Sequence, residues 1–243
     1  MSTAIFMTAA VLLEAAPAAA QPQERVFVSF NGGTQVTKNP FTDRVEFDLN
    51  RETGTTESDY PVEGGLVIDG SIAVRLWKDL AAGVAISHFT RDEVVGTVSR
   101  VPHPFFFEMP REVTGDASVT RTERAVHVQA IYRFRAAGPI TVALFGGPSF
   151  LRVEQDFVTS IQYNEEFPFD TATFRQAVTE SGSGSAVGFN AGADVAWMFT
   201  RNVGIGGLAR FAKATIDVDL PGGRTRAVDV GGFTGGGGLR LAF

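Results

Sequence analysis

Three histidines, His88, His103 and His127, are the side chains of this 243-residue chain best suited to proton transfer near neutral pH. They lie far apart, so no local metal motif joins them. With no cysteine there is no disulfide framework, thiol nucleophile or Cys-ligated zinc. His88 precedes Thr90 and Asp92 on one alternating row, which brings together a base, a hydroxyl and a carboxylate. Acyl-transfer chemistry uses such a set, although Thr is a poor substitute for Ser. His127 stands among Arg and Gln, the setting of a hydrogen-bonded interior residue. The run Gly235 to Gly238 is followed by no Lys-Ser/Thr and is no phosphate loop. Seven acids, Asp43, Glu46, Asp48, Glu52, Glu57, Asp59 and Glu63, face only Arg44 and Arg51 and could attract calcium or other bridging cations. Their spacing matches no EF-hand, so a solvated charged face is the favoured reading. No catalytic, cofactor-binding or metal-ligating residue is assigned, and no cofactor is expected. A net charge of −6 argues against nucleic acid as a partner.

The elements that would carry these residues show one period. Leu66, Ile68, Gly70, Ile72, Val74 and Leu76 alternate with Val67, Asp69, Ser71, Ala73 and Arg75. The same period-2 pattern marks strands near residues 26–30, 80–86, 126–134, 140–144, 187–199, 203–211 and 233–243, eight in all. Short links, Lys78-Asp79, Arg135 to Pro139 and Thr200 to Asn202, alternate with long ones. The long links run Val36 to Glu63 (28 residues), Ser99 to Thr120 (22) and Val158 to Gly184 (27), with Asp219 to Thr225 intermediate at 7. In an antiparallel up-and-down barrel every second connection lies on one side. Short turns on one side and long loops on the other characterise transmembrane barrels of the outer membrane. Within the first long link, Val45, Phe47 and Leu49 alternate with Glu46, Asp48 and Asn50, as if strand continued above the membrane.

Alternation alone does not orient the faces, because a lipocalin-type soluble barrel has the same period with its faces exchanged. Tyr132, Phe134, Trp197, Phe199 and Phe243 decide: all lie on the apolar face, beside short turns or the end of the chain. They predict an aromatic girdle at one membrane interface. The opposite face carries Asp69, Arg75, Arg133, Asp194, Arg210 and Arg240, each Arg costing about 2–4 kcal/mol if it faced lipid. Residues 1–20, an apolar stretch from Ala4 to Leu13 followed by Ala18-Ala19-Ala20, read as a signal peptide cleaved before Gln21. Residues 21–243 are then one barrel domain, exported to the outer membrane.

The closing Leu239-Arg240-Leu241-Ala242-Phe243 is similar to the C-terminal signature of bacterial outer-membrane barrels. The mature chain resembles the small outer-membrane β-barrels of the opacity/adhesin type. That resemblance implies an all-β, eight-stranded antiparallel barrel and recognition of the strand ending in Phe243 by the barrel-assembly machinery. It also implies a setting among outer-membrane lipid and lipopolysaccharide. It implies no activity, since the architecture hosts adhesins, structural anchors and a few lipid-modifying enzymes.

Eight strands leave an interior just wide enough for side chains. The inward charges, with Gln129, Asn190 and His127, are expected to form a packed ion-pair plug, a narrow anion-preferring channel being the alternative. Inward glycines at 204, 206, 232, 236 and 238 are expected to leave room for the Arg side chains. Pro102-His103-Pro104-Phe105-Phe106-Phe107, with Phe157, Tyr163, Phe167, Phe169 and Phe174, makes the second and third loops unusually apolar. Packing of these rings over the mouth is the favoured expectation, and a patch for a surface ligand the alternative. The function expected is structural and loop-mediated, without catalysis; a solute channel and a lipid A-modifying enzyme at His88 are the rivals.

Overall fold

A computed structural model describes residues 24–37, 40–220 and 223–243. The proposed signal peptide at 1–20 lies outside the described residues. Ten strands follow in order: β1 (Val26–Val36), β2 (Phe41–Leu49), β3 (Glu52–Tyr60), β4 (Gly65–Trp77), β5 (Leu80–Val101), β6 (Arg111–Ala137), β7 (Ile140–Glu165), β8 (Ala172–Met198), β9 (Val203–Asp219) and β10 (Thr225–Ala242). All pairings are antiparallel. Eight strands close a ring in the order β1, β4, β5, β6, β7, β8, β9, β10 and back to β1. Closure leaves no unpaired edge, the condition for a sheet to cross lipid.

The faces fall as the alternation requires. Leu66, Ile68, Ile72, Val74 and Leu76 of β4 are exposed, while Val67, Asp69 and Ala73 are buried. Tyr132, Phe134, Trp197, Phe199 and Phe243 all point outward at the short-turn end. The rings pair as Tyr132–Phe134 (5.9 Å) and Trp197–Phe199 (5.4 Å), and Trp77 adds a member that the sequence reading did not include. The exposed apolar face of β9 from Val203 to Phe211 rises roughly 20 Å, close to the ~25 Å of an outer-membrane apolar band.

The long links are themselves mostly strand. β5 to β8 run 22, 27, 26 and 27 residues, far beyond the ~10 that cross a membrane. The second and third connections shrink to residues 102–110 and 166–171. Above the membrane the hydrophobic phase reverses without a break in the β9–β10 ladder. On β9 the exposed residues change from Ile205 and Phe211 to Lys213, Thr215 and Asp217, and the buried ones to Ala214, Ile216 and Val218. Val95, Val119, Leu151, Val153, Phe157, Val228 and Val230 join them in an apolar core inside the extracellular storey. The alternating stretch around Val45 is strand, as expected, but β2 and β3 form a separate hairpin. Thr55–Asp59 of β3 pairs with Gly96–Arg100 of β5.

Candidate functional site

Within the membrane storey the inward side chains form several polar clusters. Arg210 Nη1 donates to Asp69 Oδ2 at 2.7 Å, and Asn31 Nδ2 donates to Asp69 Oδ1 at 3.1 Å. Arg240 clasps Asp194 through Nε (3.0 Å) and Nη2. Arg133 and Arg75 lie 3.8 and 5.4 Å from the centre of the Phe27 ring, a cation–π arrangement. His127 hydrogen-bonds Ser87 through Nε2 (3.1 Å) and Ser149 through Nδ1 (2.7 Å). Asn190 Nδ2 donates to Ser149 at 2.9 Å and its Oδ1 accepts from Gln129 at 3.1 Å. All nine polar residues singled out in the sequence therefore face the lumen. Serine on both sides, with no carboxylate, makes His127 a structural member of its cluster.

A further polar cluster lies above these, built from residues that the sequence reading passed over. Arg121 reaches Glu123 (2.8 Å), Gln155 (2.9 Å) and the Asp229 carbonyl (3.0 Å), while Glu123 accepts from Gln35 and from Gly231 N–H, each at 3.0 Å. Extending the alternation Arg121, Glu123, Ala125, His127 by two steps would have found them. The space that remains is divided. A cavity of about 70 Å³ lies among Phe27, Ser71, Arg133, Asp194 and Arg240, and one of about 10 Å³ among Gln35, Ser87, Glu123 and His127. These have room for a few waters and for about one. Above them the apolar storey, from Leu151 to Ile216, closes the interior.

The glycine expectation holds in part at Gly206, where a Cβ would stand 2.8 Å from Arg240 Nε but closer still, 2.5 Å, to the Val195 carbonyl. It fails at Gly236, whose Cβ would meet Gly32 O at 2.8 Å, and at Gly238, where the obstacle is Phe30 O. There the constraint is the close approach of β1 to β10 backbone, not room for an Arg.

The hairpin β2–β3 is fastened across the mouth. Tyr60 stacks on Phe41 (4.7 Å) and tilts against Phe157 (5.7 Å), and its hydroxyl accepts from Val158 N–H at 2.7 Å. Burial, assisted by the nearby Asp43 carboxylate, pushes the Tyr60 phenol up to about 12. Asp43 pairs with Arg224 (3.5 Å) and Arg226 (3.3 Å), Glu57 with Arg44 (3.4 Å) and Glu63 with Arg91 (3.0 Å). Among the described residues no three acids converge as a cation site.

At the extracellular tip Arg111 joins the second and third loops. Its buried guanidinium donates to Pro102 O (3.1 Å), Phe169 O (3.2 Å) and Glu165 Oε2 (2.5 Å). His103 Nδ1 accepts from the N–H groups of Phe105 (3.1 Å) and Phe106 (3.2 Å), shaping the turn. The hairpin braces the same loop, since Glu108 N–H donates to Glu52 at 2.7 Å. Packing over the mouth holds for Phe157 and in part for Tyr163, Phe169 and Phe174. At the apex Phe105 and Phe167 meet Phe169 (5.6 and 6.0 Å) and Phe106 meets His103 (4.9 Å), yet Phe105, Phe106, Phe107, Met109 and Phe167 stay 64, 54, 67, 60 and 83% exposed. Loops this short cannot fold back over rings at their own tips. His88 faces outward, as expected, with no hydrogen bond or ion pair among the described residues. Asp92 on its row is engaged by Thr120 Oγ1 at 2.8 Å.

No family model and no curated protein matches the chain. Among solved structures it is similar to Neisserial surface protein A, at 14% identity and TM-score 0.44, covering 90% of this chain and 96% of that one. It is also similar to Ail of Yersinia pestis, crystallised with the heparin analogue sucrose octasulfate, at 10% identity and TM-score 0.39, covering 89% and 99%. A third likeness is to the outer membrane protease OmpT of Escherichia coli, at 8% identity and TM-score 0.47, covering 93% and 99%. The apolar outer band, the aromatic girdle and the polar lumen make the chain an eight-stranded β-barrel of the outer membrane.

Proposed function

We propose that the barrel is a rigid, non-catalytic mount that holds an apolar apex above the outer membrane for contact with a surface ligand. The observation that carries this reading is the apex itself. Five large apolar side chains stay more than half exposed although Arg111, His103 and Glu52 fix the backbone beneath them. Exposed apolar clusters of this kind mark interaction sites. Covering such side chains contributes about 1–2 kcal/mol each, so the apex offers roughly 5–10 kcal/mol before the costs of association.

The channel and the lipid-modifying enzyme have less support. The lumen is interrupted by side chains and by an apolar core, and His88 has no hydroxyl or carboxylate partner among the described residues. The test replaces Phe105, Phe107 and Phe167 with Ser in one variant. Adherence of cells displaying it, to an epithelial monolayer and to an apolar abiotic surface, should fall severalfold. The mobility difference between unheated and boiled protein should persist, showing an intact barrel. Undiminished adherence with a folded barrel would sink the proposal.

A further inference from the structure

Just above the apolar band, one rung of the barrel carries three basic side chains on adjacent strands. His88 of β5 pairs in register with Arg124 of β6, Arg124 with Arg152 of β7, and Arg152 with Ser185 of β8. All three basic residues are exposed on the outward face. The next outward rung toward the periplasm is Ile86, Val126, Phe150 and Val187, each an exposed apolar side chain in the same register. Two rungs above the basic one come Asp92, Thr120 and Asp156. The basic rung therefore lies at the height where hydrocarbon gives way to headgroups, on the outer leaflet.

Its charge is left open by the protein. Directly opposed like charges on neighbouring strands destabilise a sheet, yet Arg124 stands opposite Arg152. Arg152 shares Glu154 at 3.1 Å, and Arg124 has no ion pair among the described residues. Elsewhere on the circumference, at the start of the extracellular storey, Lys213 is matched by Asp229 at 3.1 Å. With neighbouring strands about 4.8 Å apart, the three side chains span about 10 Å, room for one phosphate held by two guanidinium groups.

We propose that His88, Arg124 and Arg152 form a site for the phosphate of a phosphorylated outer-leaflet glycolipid, whose acyl chains lie along Ile86, Val126, Phe150 and Val187. The lipid is identified by its chemistry: an anionic headgroup joined to chains that run down an exposed apolar rung. Purified full-length barrel in detergent micelles would be titrated with bisphosphorylated lipid A, dephosphorylated lipid A and inorganic phosphate. Bound lipid would be counted by native mass spectrometry. Bisphosphorylated lipid A should bind at least about tenfold more tightly than the dephosphorylated form. The variant Arg124→Gln/Arg152→Gln should lose that preference, while Lys213→Gln should keep it. Equal binding of the two lipids would overturn the proposal, as would a retained preference in the double Arg variant. Inorganic phosphate that competes at millimolar concentration without acyl chains would mean an ion site and not a lipid site. A native heat-shifted gel band for each variant shows that the barrel has folded.

Discussion

The Asp69–Arg210 pair is the central joint of the lumen, and breaking it tests whether the interior is a packed plug. Both side chains are 2% exposed, with a 2.7 Å contact between them. At charge centres about 4 Å apart and an effective dielectric constant near 20, the attraction is about 4 kcal/mol before desolvation is subtracted. Removing one partner leaves a buried charge uncompensated, which costs about 3–5 kcal/mol. The adjoining 70 Å³ cavity touches both residues and admits water, which places the expectation at the lower end, about 3 kcal/mol for Arg210→Met. Asn31 still donates to Asp69 in that variant but supplies no charge. Replacing both residues, Asp69→Leu with Arg210→Met, should recover most of the loss, giving a coupling of at least about 2 kcal/mol in the double-mutant cycle. The assay is urea unfolding in small bilayers, followed by the fluorescence of Trp77 and Trp197, the two tryptophans of the chain, both exposed on the lipid face. Single variants that cost under about 1 kcal/mol, or losses that simply add, would refute the packed lumen in favour of a hydrated one. Planar-bilayer recording of the Arg210→Met barrel should show no conductance steps, because Leu151, Phe157 and Ile216 still close the interior above it.

Two further expectations concern other joints. The raised Tyr60 phenol means that the folded chain keeps a proton which the unfolded chain gives up above about pH 10. The stability this represents, on the order of 2–3 kcal/mol, is intact below pH 10 and lost between about 10 and about 12. Tyr60→Phe should abolish that alkaline loss while costing about 1–3 kcal/mol at neutral pH through the unmet Val158 N–H, read as faster proteolysis of the β2–β3 hairpin. Gly206→Val should collide with the Val195 carbonyl as well as push Arg240 from Asp194, lowering the unfolding free energy by about 1–3 kcal/mol or more. Gly207→Ala on the lipid face, with its nearest neighbour 3.8 Å away, should stay within about 0.5 kcal/mol in the same urea assay.

Much of this architecture was legible because a strand's two faces are written in every second residue. The eight ring strands, their inward Arg and Asp and the girdle from Tyr132 to Phe243 all follow from that period. Which charges pair was not legible. Asp69 meets Arg210 and Asp194 meets Arg240 across 141 and 46 residues, a choice set by the stagger of the closed ring and not by local spacing. The hairpin is similar: its alternation is visible around Val45, but its docking depends on Tyr60 reaching Val158, 98 residues away. The extracellular storey was written in the chain as a change of phase near Arg210 to Lys213. A search for one continuous apolar face ends at that change and reads the remainder as loop.

That change of phase explains why a barrel so narrow reaches so far from the membrane. In hydrocarbon the outward face must be apolar, so the hydrogen-bonding residues turn inward and satisfy one another. Past the headgroups water takes over the outside, and the same alternation, shifted by one residue, brings Val, Ile and Phe to the interior. The shift needs a seam where neither solvent dominates. On the inside that seam is Gln35, Arg121, Glu123 and Gln155, a polar set joined through its own members and the Gly231 backbone. On the outside it is the basic rung of His88, Arg124 and Arg152, where the described residues supply only Glu154 as a counter-charge. The rigidity of the apical Phe cluster follows from the same arrangement, since it is carried on strands packed inside both above and below the seam.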